Sequence, residues 1–328
     1  MKSTIADSPD QLRTVRTLLA ELYDLRGAEA LLYWDQATYL PAGGASARGR
    51  QMATLARIIH TKSTQPALGS ALDALEQYAD DLPDDHDDRA LIRIARKDFA
   101  RATRVPGDLM AEIAAHSAES YAVWTRARPA NDFAAVQPYL EKTLALSRRY
   151  ADCFAPFDHV ADPLIDQSDP GMTVALVRPL FEELRQQLVP IVAAIGAQEQ
   201  IDDRCLHQSF PVDQQWDFGV EIISRLGYDF QRGRQDKTHH PFMIKLAQGD
   251  ARITTRVKEN RLDEGLFSTI HECGHALYEM GIGPEWAGTP LDHGTSSGVH
   301  ESQSRLWENM VGRSLPFWTY FYPQLQAR

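Results

Sequence analysis

The sequence predicts a mainly α-helical protein with one short antiparallel β-ribbon. Apolar residues recur every three or four positions along most of the 328 residues, which is the spacing of helices that bury one face. Only residues 239–257 have the pattern of two strands joined by a turn. The chain has no internal repeat. Its length allows two domains, but one large helical domain over residues 1–328 accounts equally well for the pattern.

The first predicted helices occupy the N-terminal part of the chain. A leucine-rich stripe that starts at Leu12 marks an amphipathic helix, which can run to Tyr39 before Pro41 breaks it. A second helical segment follows Arg48. The acidic residues 80–85 predict a solvated loop that leads into a helix N-terminus, where negative charge is favourable. Further helices are expected at 86–103, 107–127, 131–155, 173–196 (with Pro179 and Pro190 as start or kink positions) and 216–226, where Gly227 closes the last.

The predicted ribbon combines a strand at 239–246, a turn at 248–250 and a second strand at 252–257. Ile253 and Thr255 alternate with Arg252, Thr254 and Arg256, so one face of the ribbon is polar. Such a ribbon could line a groove and offer an edge to an extended peptide. Alternatively, it only ties two helical layers together, and the spacing of its residues does not separate these roles.

The most informative segment is His271-Glu272-Cys273-Gly274-His275, which predicts a zinc site. Residues four apart lie on one face of a helix, so His271 and His275 can both reach one ion at Zn–N distances of about 2.0–2.1 Å. Glu272 points away from the ion. It can therefore act as the base that accepts a proton from water.

The flanks of this motif support a helix. Apolar residues recur at near-helical spacing between 266 and 280, Asp263 can cap the start, and Gly281 and Gly283 can end the helix. The alternative is that two histidines face the core by accident, and with 11 His in the chain such a match occurs in about a few per cent of sequences. Cys273 lies off the ligand face and is expected to be a packing residue.

A catalytic zinc of this type needs a third protein ligand, which usually comes from a separate helix further along the chain. Glu301 is the preferred candidate, because residues 299–312 predict a helix that packs beside the first. Glu301 could instead form an i,i+4 surface pair with Arg305, which is worth only about 0.2–0.5 kcal/mol. Glu308, Asp292 and His293 are reserve candidates.

Composition argues against two classes of partner. The net charge of −11 and the pI near 5.5 argue against nucleic acid, whose binding needs clustered positive charge. Charged residues within positions 1–25 argue against a signal-peptide core or a membrane span there, and no membrane role is expected. Cys153, Cys205 and Cys273 have no disulfide or metal spacing, so we expect a reducing, cytoplasmic compartment.

Four motifs in order make the chain resemble one family. They are His240-Pro241-Phe242, Asp250-x-Arg252-x-Thr254, His271-Glu272-x-x-His275 and His300-Glu301-Ser302-Gln303. This set resembles the carboxypeptidase Taq family of zinc metallocarboxypeptidases. The run from Leu32 to Pro41 is also similar to a stretch of that family, so the resemblance spans nearly the whole chain.

The resemblance implies a large helical body with a deep substrate groove, a zinc held by His271, His275 and Glu301, and Glu272 as the catalytic carboxylate. It also implies removal of C-terminal residues from peptides and a homodimer. Cobalt or manganese can substitute for zinc at such a ligand set. The residues expected near the groove are those at the family's other motif positions: His240, Asp250, Arg252, Thr254 and His300.

One part of the family pattern is missing from the chain. Members normally continue beyond the His-Glu-Ser-Gln segment into Ile-Arg-x-x-Ala-Asp and Gly-x-x-Gln-Asp-x-His-Trp motifs, and neither occurs in these 328 residues. That region is expected to complete the groove and to supply an arginine for the terminal carboxylate of the substrate. Three functions stay open: an active metallocarboxypeptidase, an inactive zinc-binding remnant or binding module, and a helical scaffold with fortuitous histidines.

Overall fold

The structure is a computed structural model that describes residues 9–328, and it is mainly helical, as predicted. The helices are α1 (Asp10–Thr38), α2 (Ala45–Ser63), α3 (Pro66–Ala74), α4 (Glu76–Asp80), α5 (Asp87–Arg104), α6 (Gly107–Ala127), α7 (Phe133–Asp152), α8 (Asp162–Ser168), α9 (Val174–Gly196), α10 (Val212–Leu226), α11 (Leu262–Met280), α12 (Ser297–Arg305) and α13 (Leu315–Gln326). The strands are β1 (Gln235–Lys237), β2 (Met243–Ala247) and β3 (Asp250–Thr255).

The predicted N-terminal helix is confirmed as α1, which ends at Thr38, shortly before Pro41. Its leucine stripe is buried: Leu12 packs in one apolar cluster with Leu72 of α3 and Leu91 of α5. Each fully buried aliphatic side chain of this kind contributes about 1.5–3 kcal/mol relative to an exposed one. The cluster therefore holds α1, α3 and α5 together as the N-terminal part of the body.

Most other helices lie within a few residues of their predicted positions, and α10 is followed by Gly227, which adopts the left-handed conformation with φ of 104°. Pro179 and Pro190 both lie inside α9, so of their two predicted roles the start of the helix is excluded. One detail differs. Residues 299–312 are divided between α12 and a π-helical turn, Leu306–Val311, which is closed by a 2.8 Å hydrogen bond from the Gly312 N–H to the Trp307 carbonyl.

α9 differs from the other long helices, because none of its residues is buried. Leu180, Phe181, Val192 and Ile195 are among its apolar side chains that are more than half exposed. Exposed apolar patches of this kind mark contact surfaces. Within residues 9–328, α9 therefore carries an apolar face that the rest of the fold does not bury.

The predicted antiparallel ribbon is confirmed as β2 and β3, with Met243 paired to Ile253. A third strand was not predicted: β1 pairs in parallel with β3, so the strand order is β1-β3-β2. β1 has only three residues, and so short a segment shows no measurable alternation. Its effect is large, because it makes β3 the central strand rather than an edge.

α11 is the helix on which the C-terminal part is built, and it contacts α10, α12 and the sheet. Ile270, Cys273 and Ala276 have no exposed surface and pack against residues of α10 and β3. This packing fixes the rotation of α11 about its own axis. Cys273 is therefore a packing residue, as predicted.

Within the described residues, none of the helices combines the length and apolar character that a membrane span requires. Of the segment 1–25, the first eight residues lie outside the described part of the chain. Cys153, Cys205 and Cys273 are all unpaired.

Candidate metal centre

α11 presents two imidazoles on one face. His271 and His275 are one turn apart, with ring centroids separated by 4.9 Å and ring planes at 83°. Gly281 follows the last residue of the helix, as predicted. The prediction that Asp263 caps its start is wrong, because α11 begins at Leu262 and the Asp263 carboxylate accepts a hydrogen bond from Arg261 in the first turn.

α12 carries Glu301 to both imidazoles. Its Oε2 lies 3.6 Å from Nε2 of His271 and 3.4 Å from Nε2 of His275. In a tetrahedral site with bonds of about 2.0–2.1 Å, ligand atoms are about 3.3 Å apart, so both distances from Glu301 are close to the edge of a zinc tetrahedron. The other oxygen, Oε1, accepts a 2.9 Å hydrogen bond from Arg305. The surface pair that the sequence offered as an alternative therefore coexists with the metal-facing arrangement.

The donor set suits a divalent ion of borderline hardness. His271, His275 and Glu301 form a group whose candidate ligand atoms all lie within 4.8 Å of one another, and the part of the chain that the structure describes contains no second such group. Two imidazoles and a carboxylate favour zinc, although cobalt and manganese accept the same donors. The reserve candidates Asp292 and His293 are not members of the group.

Gly274, between the two histidines, allows α12 to approach α11. A Cβ at this position would lie 2.7 Å from Cα of Ser304 and 3.0 Å from the carbonyl oxygen of Gln303. Both contacts are with backbone, which cannot move aside as the end of a side chain can. Glycine inside a helix costs about 1 kcal/mol relative to alanine, which is a signal in the sequence, but its reason is visible only in the packing.

We expect Gly274→Ala to separate α12 from α11 and to weaken zinc binding by about tenfold or more, with about 1–3 kcal/mol lost from the free energy of unfolding. Chelator competition measures the affinity, and urea unfolding in EDTA measures the stability of the metal-free chain. Gly219→Ala is the matched control, since its Cβ would meet Thr269 at an ordinary 3.5 Å. Equal zinc affinity in wild type and Gly274→Ala would contradict this explanation of the close approach.

Glu272 is only 6% exposed and lies beside the first residue of β2. Burial, followed by the negative charges of Glu301 and Glu308, raises the pKa of Glu272 to about 8, while a hydrogen bond from the backbone of Met243 acts in the opposite direction. A bound divalent cation would also favour the ionised carboxylate. The arrangement gives a buried carboxyl group whose protonation depends strongly on the charges around it.

The ring nitrogens that face away from Glu301 have partners of two kinds. Nδ1 of His271 lies 2.9 Å from Oε2 of Glu308. The same carboxylate accepts hydrogen bonds from Arg305 at Oε2 and from Arg313 at Oε1. Glu308 is thus an outer partner of a ligand candidate, and the π-helical turn carries it.

Nδ1 of His275 instead lies 2.6 Å from Nδ1 of His300. Burial, and then the neighbouring His300 and His271, lower the pKa of His275 to about 4. The ring is therefore neutral near pH 7, and the neutral imidazole is the form that binds metals.

The predicted groove residues have different surroundings. Thr254 has no exposed surface, and its hydroxyl donates a hydrogen bond to the Phe242 carbonyl. The backbone of Thr254 pairs with Asp236 of β1, so β3 is not a free edge at this position. His240 is exposed and meets the Trp124 ring of α6 edge-on, 6.5 Å between centroids.

Asp250 and Arg252 bond to each other through two contacts of 2.8 Å. The guanidinium carbon of Arg252 lies 4.5 Å from the centre of the Trp34 ring, a cation–π contact that joins β3 to α1. This contact, and the packing of β2 on α1, support the role of the sheet as a tie between helical layers. A place in or near a substrate groove stays a prediction for all five residues of the set: His240, Asp250, Arg252, Thr254 and His300.

The family model of carboxypeptidase Taq (M32) metallopeptidases matches residues 14–328. The chain belongs to this family. The resemblance inferred from its four motifs is therefore confirmed, and the family that the model describes is one of metallopeptidases, a class of enzyme that works with a bound metal ion.

Two curated relatives and one solved structure illustrate the similarity. Thermostable carboxypeptidase 1 of Thermus thermophilus is 42% identical over 306 residues, covering 90% of this chain and 60% of the relative. Carboxypeptidase 1 of Bacillus subtilis is 34% identical over 310 residues, covering 94% and 62%. The crystal structure of the M32 carboxypeptidase from Deinococcus radiodurans R1 has a TM-score of 0.85 at 46% identity, covering 97% of this chain and 64% of that one. The chain thus spans about 60% of the length of the curated M32 relatives.

Proposed function

We propose that this chain is a zinc-dependent metallocarboxypeptidase that releases C-terminal residues from peptides with a free carboxyl terminus. The observation that carries the proposal is the convergence of three donor atoms, since Glu301 Oε2 lies 3.6 Å from His271 Nε2 and 3.4 Å from His275 Nε2. Membership of the M32 family supports the reaction class, because the curated relatives are named carboxypeptidases.

In the proposed reaction His271, His275 and Glu301 hold the ion through two imidazole nitrogens and one carboxylate oxygen. When bound, zinc supplies Lewis acidity, which polarises a scissile carbonyl and lowers the pKa of a water molecule towards about 7. Glu272 accepts the proton of the attacking water and later passes it to the leaving amine. The nearby backbone of Met243 favours the ionised form of Glu272, which is the form that accepts a proton.

The test of the reaction class compares a blocked dipeptide that has a free C-terminus with its amidated twin. We expect the zinc-loaded chain to cleave the free acid and to leave the amide intact, because a carboxypeptidase recognises the terminal carboxylate. Release of the terminal residue is measured by chromatography, and zinc content is measured on the same sample. Equal cleavage of both peptides would contradict carboxypeptidase action.

A second candidate function is metal binding without hydrolysis. One observation favours it: α9 has an apolar face that the described residues do not bury, as a surface that binds another molecule would have. The same assay separates the two functions. One zinc per chain with no cleavage of either peptide would support the inactive binding module.

The compartment and the oligomeric state belong to the proposal as well. Three unpaired cysteines support a reducing, cytoplasmic environment. The homodimer implied by the family resemblance stays a prediction, which light scattering of the purified chain would test.

A further inference from the structure

One ring nitrogen of His275 contacts a second imidazole. Nε2 of His275 is the nitrogen directed at Glu301 and so at the metal site, 3.4 Å away. Its other nitrogen, Nδ1, lies 2.6 Å from Nδ1 of His300. Two imidazole nitrogens at this distance share one hydrogen bond, so one of them carries a proton and donates while the other accepts.

The far side of His300 decides the direction of this bond. Nε2 of His300 lies 3.0 Å from Oε1 of Glu279, and a carboxylate can only accept, so Nε2 of His300 carries the proton. A neutral ring has one such proton, which leaves Nδ1 of His300 as the acceptor. His275 therefore donates from Nδ1 and keeps a free lone pair on Nε2. If His300 carried protons on both nitrogens, its Nδ1 would donate to Nδ1 of His275. The single proton of the neutral His275 ring would then be on Nε2, the nitrogen that should bind the metal.

Glu279 is in turn held by a buried charged array. It is 4% exposed, its Oε1 also accepts from the Gly294 N–H at 3.0 Å, and its Oε2 lies 3.3 Å from Nζ of Lys245. Lys245 also donates to Asp292 at 2.7 Å, and Tyr23 of α1 donates to the second oxygen of Asp292 at 2.6 Å. Two carboxylates and one ammonium group leave the array with one net negative charge.

The His300 ring is confined as well as bonded. A Cβ at position 294 would lie 2.5 Å from Cδ2 of His300, so Gly294 leaves just enough room for the ring. Tyr278 meets the same ring edge-on, with 5.3 Å between centroids. The imidazole is therefore kept in the orientation that faces His275 on one side and Glu279 on the other.

Burying such an array costs free energy, because the loss of hydration of the charges is only partly offset by their mutual attraction. Apolar side chains of similar volume often give the folded protein equal or greater stability. Stability alone therefore does not account for Lys245, Glu279 and Asp292 lying together behind His300. A role in orienting a metal ligand does account for them, since hydrogen bonds from outside a metal site fix the tautomer of its histidines and increase their basicity.

We propose that His300 and Glu279 are positioning residues, which hold His275 with its proton on Nδ1 and its Nε2 lone pair turned to the metal. His271 is oriented by a different route, since its Nδ1 contacts the Glu308 carboxylate directly at 2.9 Å. The inference rests on the metal site of the proposed function but not on hydrolysis. It also assigns His300 a role other than the groove contact expected from its motif.

The test uses two substitutions of similar polarity at one position. In His300→Asn the amide can stand where Nδ1 stood and accept from His275, whereas in His300→Gln the amide reaches the position of Nε2 near Glu279. We expect zinc affinity, measured by competition with a chromophoric chelator, to fall about 10- to 100-fold in His300→Gln. His300→Asn should keep most of the wild-type zinc affinity. Urea unfolding in EDTA checks that both metal-free variants are folded.

His116→Gln is the matched control, because His116 is also a buried, hydrogen-bonded histidine, on α6, and its loss should leave zinc affinity unchanged. Equal zinc affinity in wild type, His300→Asn and His300→Gln would overturn the positioning role while leaving the metal site intact. A wild-type chain that binds no zinc would instead overturn the metal site and the proposed function together. Should His300→Gln fail to fold, Glu279→Gln tests the same chain of hydrogen bonds, because it removes the carboxylate charge that fixes the proton on Nε2 of His300. Unchanged zinc affinity in Glu279→Gln would overturn the proposal.

Discussion

Glu272→Gln should abolish peptide hydrolysis while the chain still binds one zinc. Glutamine has nearly the same shape as glutamate but cannot accept the proton of the attacking water, and general bases contribute about 10²–10⁴-fold to rate. The substitution removes a buried group that the structure keeps beside Met243 and away from bulk solvent. We therefore expect kcat/KM for the free-acid dipeptide to fall by about 10²–10⁴-fold.

The control for this prediction is Glu264→Gln on the same helix. Glu264 bonds to Lys258 at 2.7 Å and is not a member of the donor group, so its loss should change kcat/KM by no more than a few-fold. Zinc content of all three proteins is measured by atomic absorption. If Glu272→Gln cleaved peptides at the wild-type rate, the base would have to be a different group.

His271→Ala should release the metal. Removing one of three donors leaves His275 and Glu301 as the protein's own ligands, whereas a catalytic zinc is held by three protein ligands. A ligand that binds only the folded state stabilises it, by about 2.7 kcal/mol at 100-fold excess over Kd. We therefore expect zinc to raise the melting temperature of the wild type and to leave that of His271→Ala unchanged.

His207→Ala provides the comparison for this experiment. The ring of His207 is exposed, bonds to Asp203 and is not part of the donor group, so its variant should bind one zinc and show the wild-type shift in melting temperature. Retention of one tightly bound zinc in His271→Ala would mean that the ion binds elsewhere. The two histidines of α11 would then be fortuitous, as the scaffold hypothesis holds.

The outcome for the metal centre shows which inferences depend on local geometry. The relative placement of His271 and His275 follows from helical spacing alone, since residues four apart share a face whatever the rest of the chain does. Glu301 was preferred among four candidates because it lies on a predicted helix further along the chain, and the structure brings its Oε2 near both imidazoles. No local rule guarantees that approach, because 26 positions separate Glu301 from His275 and the distance between their side chains depends on how two helices pack.

Other features of the site depend on distant contacts in the same way. Thr254 was expected near the groove from its motif position, and its strand pairs with β1, a three-residue strand too short to predict. His300 was expected near the groove from its motif position as well, and its ring faces His275 and Glu279. Gly274 drew no attention in the sequence, although its missing side chain allows α11 and α12 to meet.

The sequence by itself determined the helical class, the order and approximate bounds of most helices, the paired histidines with their neighbouring carboxylate, and the family. These depend on periodicity and on motifs in which the decisive residues are a few positions apart. Only the tertiary structure decided which carboxylate approaches the histidines, which residues orient them, and which strand is central. Those outcomes depend on contacts between segments far apart in the chain, which are set by packing and by the absence of a Cβ at positions such as Gly274.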